Sequence, residues 1–172
     1  MLTRTMCLLL SFETRISRRG FWLGIGLLSI FALATIWIVG SFALPYWEPH
    51  VISGVAMLVL LYPSLAVGVK RLHDRNKSAF PWAFIYFGPQ VLTHVTQFFN
   101  WGWEPWTQFP LGPQGVMIMQ PTNTLTWVLA VLSVAALVAA FIELGFMKGS
   151  DGENRYGRTP ESMREGDFVC AT

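Results

Sequence analysis

The twelve Lys and Arg residues of this chain fall in three segments, set apart by four long apolar stretches. Arg4, Arg15, Arg18 and Arg19 precede the first stretch. Lys70, Arg71, Arg75 and Lys77 lie between the second and third. Lys148, Arg155, Arg158 and Arg164 follow the fourth. The other two connections contain no basic residue. Basic residues flanking membrane spans stay on the cytoplasmic side, so this asymmetry predicts four spans with both ends cytoplasmic. The expected fold is an all-α membrane protein: a four-transmembrane-helix bundle with a short N-terminal interfacial helix, N-in and C-in.

Composition supports that class. Of 172 residues, 53% are hydrophobic and 13% charged, against about 25% charged in a soluble domain. The formal charge of +2 does not argue for nucleic acid, because the cations flank apolar spans and read as topology determinants and anionic-lipid contacts. Cys7 and Cys170 both map to the reducing side and lack metal-ligand spacing, so neither a disulfide nor a metal site is expected. The apolar run near the N-terminus is too short for a signal-peptide core, and no cleavable leader is expected.

The chain divides into a cytoplasmic tail (1–19), a membrane domain (20–147) and a C-terminal cytoplasmic tail (148–172). The apolar patch Cys7-Leu8-Leu9-Leu10, with Phe12 and then Arg15, Arg18 and Arg19, reads as a helix lying on the inner surface. Spans are expected at 20–44, 51–69, 79–99 and 124–147. The first would reach about 37 Å as a helix, enough to cross a ~30 Å core with tilt. Gly20 and Gly24 form a GxxxG that favours close packing within the monomer over a dimer face. Pro63 and Pro89 should bend spans two and three. Ser78 is an expected N-cap for span three, and Gly149 an expected C′ residue for span four. The segment 100–123, with Trp101, Trp103 and Trp106, is expected to lie at the outer interface, with a re-entrant hairpin as the alternative.

Three groups of residues could carry chemistry. Gln90, Thr93, His94 and Gln97 share one helix face at i, i+3, i+4, i+7 spacing. Interhelical hydrogen bonding is the favoured reading, with a ligand site or proton path as the rival. Glu143 is the one formal charge placed within a span, near its inner end, and pairing with a basic residue at the rim is favoured. The third group is the inner rim, where Asp74 can neutralise Arg71 or Lys70 at helical spacing. An anion site using Arg71, Arg75 and Lys77 is the alternative to simple anchoring. No catalytic constellation, metal site or cofactor motif emerges; the tail 148–157 lacks both P-loop and EF-hand order.

Arg71-Leu72-His73-Asp74, continuing to Ser78, resembles one hallmark segment of a bacterial inner-membrane family. Lys148-Gly149-Ser150-Asp151-Gly152-Glu153-Asn154-Arg155-Tyr156-Gly157 resembles another, and Arg15-Ile16-Ser17-Arg18-Arg19-Gly20-Phe21-Trp22 resembles its opening motif. The family is catalogued as domain of unknown function 805, the YhaH-like proteins. The resemblance spans roughly residues 8–160. It departs at Ala79-Phe80, where the family usually has Gly-Trp. It implies a small multi-pass protein of the bacterial inner membrane and no established activity. Because all three hallmarks map to the inner rim, Arg18, Arg71, His73, Asp74, Asn154 and Arg155 are expected to form one polar cluster. Asp74 would pair with Arg71 or Arg155, and Asn154 would bond loop backbone.

The leading functional expectation is a non-catalytic membrane protein that binds anionic lipid headgroups or a membrane-protein partner, with homo-oligomers as a further option. A small oligomeric transporter or channel subunit built on the polar face of span three comes second. A lipid-modifying enzyme at the inner rim comes third.

Overall fold

The computed structural model describes residues 9–42, 49–110 and 115–158. Among the described residues four long helices follow one another: α1 (Arg18–Phe42), α2 (Pro49–Asp74), α3 (Ala79–Phe98) and α4 (Thr124–Ala140). The last continues as a π-helical turn, Phe141–Phe146. Each helix packs on its neighbour in sequence, and the π turn closes the bundle back onto α1 and α2. Among the described residues, three stretches are long and apolar enough to cross a membrane: Arg18–Ile38, Gly54–Asp74 and Thr124–Phe146, with mean hydropathy 2.1, 1.6 and 2.5. Helix α3 has 20 residues, about 30 Å, but its polar stripe and its prolines Pro81 and Pro89 dilute its apolar character. Leu125, Val131 and Leu137 of α4 point outward and are exposed. A continuous apolar exterior of this kind belongs in lipid.

The elements end where local chemistry ends them. Asn76 adopts φ +58°, while the Lys77 amide reaches Leu72 O (2.9 Å) and the Asn76 amide reaches His73 O (3.0 Å). That is a Schellman closure with Asn76 at C′. It carries α2 through Lys70, Arg71 and Asp74, so these residues of the expected loop are helical and buried. Asn100 (φ +53°) closes α3 the same way, with Trp101 N bonding Thr96 O at 2.8 Å. Asn123 opens α4 with a capping box to Thr126.

Several expectations change. The segment between α3 and α4 folds as an antiparallel hairpin, β1 (Trp103–Phe109) and β2 (Val116–Pro121). Trp, Thr, Phe, Val and Ile favour strands, and ladder pairing satisfies backbone groups at an apolar boundary. A register shift between Pro105 and Thr107 accommodates the proline, which has no N–H to offer the ladder. The fold is therefore mostly helical with a small sheet. Ser78 does not cap α3: its hydroxyl donates to Phe80 O, and Phe80 is non-helical (φ −91°, ψ 135°) because Pro81 follows it. Helix α1 begins at Arg18. Of the expected interfacial helix, residues 1–8 lie outside the described residues; Tyr62 of α2 donates its hydroxyl to Leu10 O at 2.9 Å. Cys7 and Cys170 also lie outside the described residues.

The buried core sits in one half of the bundle. Ile16, Phe21, Leu28, Val67, Leu72, Tyr86 and Leu144 form it, all within a few turns of the end where α1 starts and α2 ends. Gly24 meets Val67 there, and a Cβ would come within 3.0 Å of the valine. Close packing of α1 on α2 thus explains that glycine.

Candidate functional site

Three distant segments converge on Asp74, the last residue of α2. Arg71, one turn earlier, pairs with its Oδ2. Arg15, in the segment before α1, pairs with Oδ1 at 3.1 Å. Arg71, Arg15 and Asp74 are 0%, 2% and 4% exposed, so removing a partner would strand a charge away from water.

The arginines spend their remaining donors on backbone carbonyls. Arg15 Nη1 donates to Gly152 O (2.9 Å) and Gly157 O (3.1 Å), and its Nη2 to Asp74 O and Ser150 O. Arg71 Nε donates to Leu144 O (2.8 Å) and its Nη2 to Met147 O. Trp22 Nε1 reaches Gly145 O at 3.2 Å. The carbonyl ends of α2 and of the π turn, where helix dipoles are negative, therefore face guanidinium groups. A planar five-donor fork suits this role, and a lysine could not reproduce it.

The C-terminal segment folds around the same point. Ser150 donates to Asp74 O from both its amide (2.8 Å) and its hydroxyl (3.0 Å). Asn154 Nδ2 donates to His73 O (3.0 Å) and Ser150 Oγ (2.8 Å), and Asn154 Oδ1 accepts from Tyr156 N. The Tyr156 ring stacks on His73, centroids 3.8 Å apart and nearly parallel. A Cβ at Gly149 would collide with the Asp74 carboxylate. Gly149 is therefore required by this close approach and is not a helix C′ residue, since α4 ends before it.

The expected rim cluster can be placed residue by residue. Arg71, Asp74, His73 and Asn154 come together, with Asn154 on loop backbone. Arg155 lies on the same rim and donates to Asn76 O (3.0 Å) in place of Asp74. Arg18 is exposed and lines a hollow of about 230 Å³ with Arg15, Asp74, Lys148 and Gly149. Sequence reasoning passed over Arg15, assigning it to headgroups. Its place at the head of the Arg-Ile-Ser-Arg run, facing one acid among many cations, was the available signal.

A second group flanks the clasp. Glu143, in the π turn, pairs with Arg75 (2.7 Å) and with Lys77, and Tyr86 donates its hydroxyl to the same carboxylate. Lys77 also sits over the Trp82 ring, 3.7 Å from its centroid, a cation–π contact. On α3, Gln90 Nε2 donates to Ser133 O of α4 (2.9 Å), and Thr93 Oγ1 and Ser133 Oγ are 2.6 Å apart. Ser133 Oγ also reaches Pro89 O (3.0 Å). Gln90 and Thr93 thus bridge to α4. His94 binds within its own helix through Gln90 O (2.8 Å), and Gln97 contributes its carbonyl to the helix end, accepting from Asn100 N. Among the described residues, no group of three His, Cys, Asp or Glu could hold a metal ion.

The chain matches the family model described as "Protein of unknown function (DUF805)" over residues 9–158. It is 31% identical to "Uncharacterized protein YiiR" of Escherichia coli (strain K12) over 159 residues, 91% of this chain and 90% of the relative. The same figures hold for the protein of that description in Escherichia coli O157:H7. No solved structure matches the chain significantly. All three segments that meet at Asp74 lie within the matched residues, and the chain belongs to the DUF805 family.

Proposed function

We propose that this is a non-catalytic, four-span protein of the bacterial inner membrane that binds anionic lipid headgroups at its cytoplasmic rim. One contact supports the span count. Arg15 before α1 touches Ser150 and Gly152 after α4, so both tails share a side and the number of crossings is even. Three apolar spans and α3, packed alongside them, make four. The basic segments gather at that shared end, which is the cytoplasmic one by the positive-inside rule.

One observation carries the reading of the site. Asp74 is saturated by two arginines, whereas Arg18 and Arg19 at the start of α1 are exposed and make no ion pair among the described residues. Both carboxylate oxygens of Asp74 are already engaged by guanidinium groups, which argues against an enzyme built on Asp74. Exposed arginines at a membrane rim attract lipid phosphates, each contributing about 1 kcal/mol. Gln90 and Thr93 are occupied holding α3 to α4, which argues against a wet path along that face.

The test is purification into nanodiscs holding phosphatidylglycerol and phosphatidylcholine, with mass spectrometry of the lipid that stays bound. Wild type should retain phosphatidylglycerol selectively. Arg18→Gln/Arg19→Gln should lose most of that selectivity and keep its thermal stability. Equal retention of the two lipids by wild type would reject the proposal.

A further inference from the structure

The half of the bundle away from the clasp contains a slot of about 350 Å³. Ile36 of α1, Ala56, Leu60 and Ser64 of α2, Gln90 and His94 of α3 and the start of β2 line it. Its volume is in the range of small-molecule sites, about 300–1,000 Å³. Along α2 the lining runs from Ala56 to Ser64, about 12 Å at helical rise. It therefore extends from the middle of the bundle toward the hairpin. Pro63 and Pro89 stand beside its inner end, and each removes one helical hydrogen bond there.

The polar groups in the slot have defined roles. His94 Nδ1 is 2.8 Å from Gln90 O. A carbonyl oxygen only accepts, so Nδ1 carries the hydrogen. In the neutral ring Nε2 is then an acceptor, and it has no hydrogen-bond partner among the described residues. Gln90 Nε2 donates to Ser133 O and Tyr86 O, two groups that can only accept, so Gln90 Oε1 is the acceptor left over. Ser64 supplies a hydroxyl. Among the described residues, the lining contains no Lys, Arg, Asp or Glu.

We infer that this slot binds a neutral membrane amphiphile with one apolar chain and a hydroxyl head, the hydroxyl donating to His94 Nε2. The apolar walls take the chain. A charged head would be desolvated without a counter-charge. A head that only accepts, such as an ether or ketone, could take a bond from the Ser64 hydroxyl but would leave His94 Nε2 and Gln90 Oε1 without a donor. The slot lies among membrane-spanning residues, so its occupant arrives from the bilayer.

The test uses the full-length protein in nanodiscs and a pair of photo-crosslinking probes. One is a sixteen-carbon primary alcohol carrying a chain diazirine (~16 carbons matches one leaflet of a ~30 Å core). The other is its methyl ether. Peptide mapping reads labelling on the segments holding Leu60 and Val91. The alcohol should label these segments about five-fold more than the ether, the worth of one hydrogen bond. His94→Leu should erase that difference, and Ala56→Trp should abolish labelling by both probes. Equal labelling of wild type by alcohol and ether would overturn the inference, and this comparison needs no variant to fold. Preference for the alcohol persisting in a folded His94→Leu protein would overturn it as well.

Discussion

Arg15 and Asp74, separated by 59 residues, form an ion pair at 3.1 Å whose side chains are 0% and 6% exposed. The pair joins the segment before the first helix to the end of the second. Through Ser150 and Gly152 it takes in the tail after the fourth. A contact joining three chain segments acts on global stability, because none of them can leave without breaking buried charge-assisted hydrogen bonds.

Arg15→Ala should therefore destabilise the protein by about 3–5 kcal/mol, the range for removing one partner of a buried pair. Arg71 still neutralises Asp74, which places the expectation at the lower end. Arg15→Lys should recover little, since an ammonium cannot reach Gly152 O, Gly157 O and Asp74 together. Unfolding followed by intrinsic tryptophan fluorescence in detergent would measure both. Full rescue by lysine would show that only the charge matters.

The close approach at Gly149 gives a second prediction. Gly149→Ala should push the tail off Asp74 and cost about 1–3 kcal/mol, as overpacking does. Amide exchange across 150–157 should rise. Gly26→Ala is the matched control: a Cβ there meets nothing within 4 Å, and alanine is the better helix former. Comparable exchange in the two variants would contradict the collision.

Three of the helices were legible because each is a long apolar run. The rim was legible as a place, since cations and hallmark motifs coincide there. Its wiring was not. Arg15, Arg18 and Arg155 look alike in one dimension, and which of them reaches Asp74 depends on how the tails fold across the helix ends. Gly149 was assigned to a helix end because the π turn, which follows α4 and ends at Phe146, has no signature in the sequence. The hairpin was hidden by Pro105 and Pro110, which read as loop although β1 admits Pro105 beside a bulge.

Ser133 is the point where α4 is held to α3. Ser133→Ala removes the bonds to Thr93 and Pro89. Within a membrane such bonds average about 0.6 kcal/mol and reach about 1.7, so the variant should remain folded with a small loss of stability. A thermal shift as large as that of Arg15→Ala would mean that the bundle depends on this polar contact more than on the clasp.

The final prediction concerns sidedness. Contact between Arg15 and Ser150 requires both tails on one side, so an odd number of crossings is incompatible with the clasp. In a background with Cys7 and Cys170 replaced by serine, single cysteines at Glu13, Trp106 and Glu153 sample the N-terminal segment, the hairpin and the C-terminal segment. All three positions are exposed. An impermeant maleimide added to intact spheroplasts should label Trp106→Cys alone. Permeabilisation should then expose Glu13→Cys and Glu153→Cys together. Labelling of one tail and not the other in intact spheroplasts would leave α3 outside the set of spans, and would make the Arg15–Asp74–Ser150 contact impossible in the membrane-inserted protein.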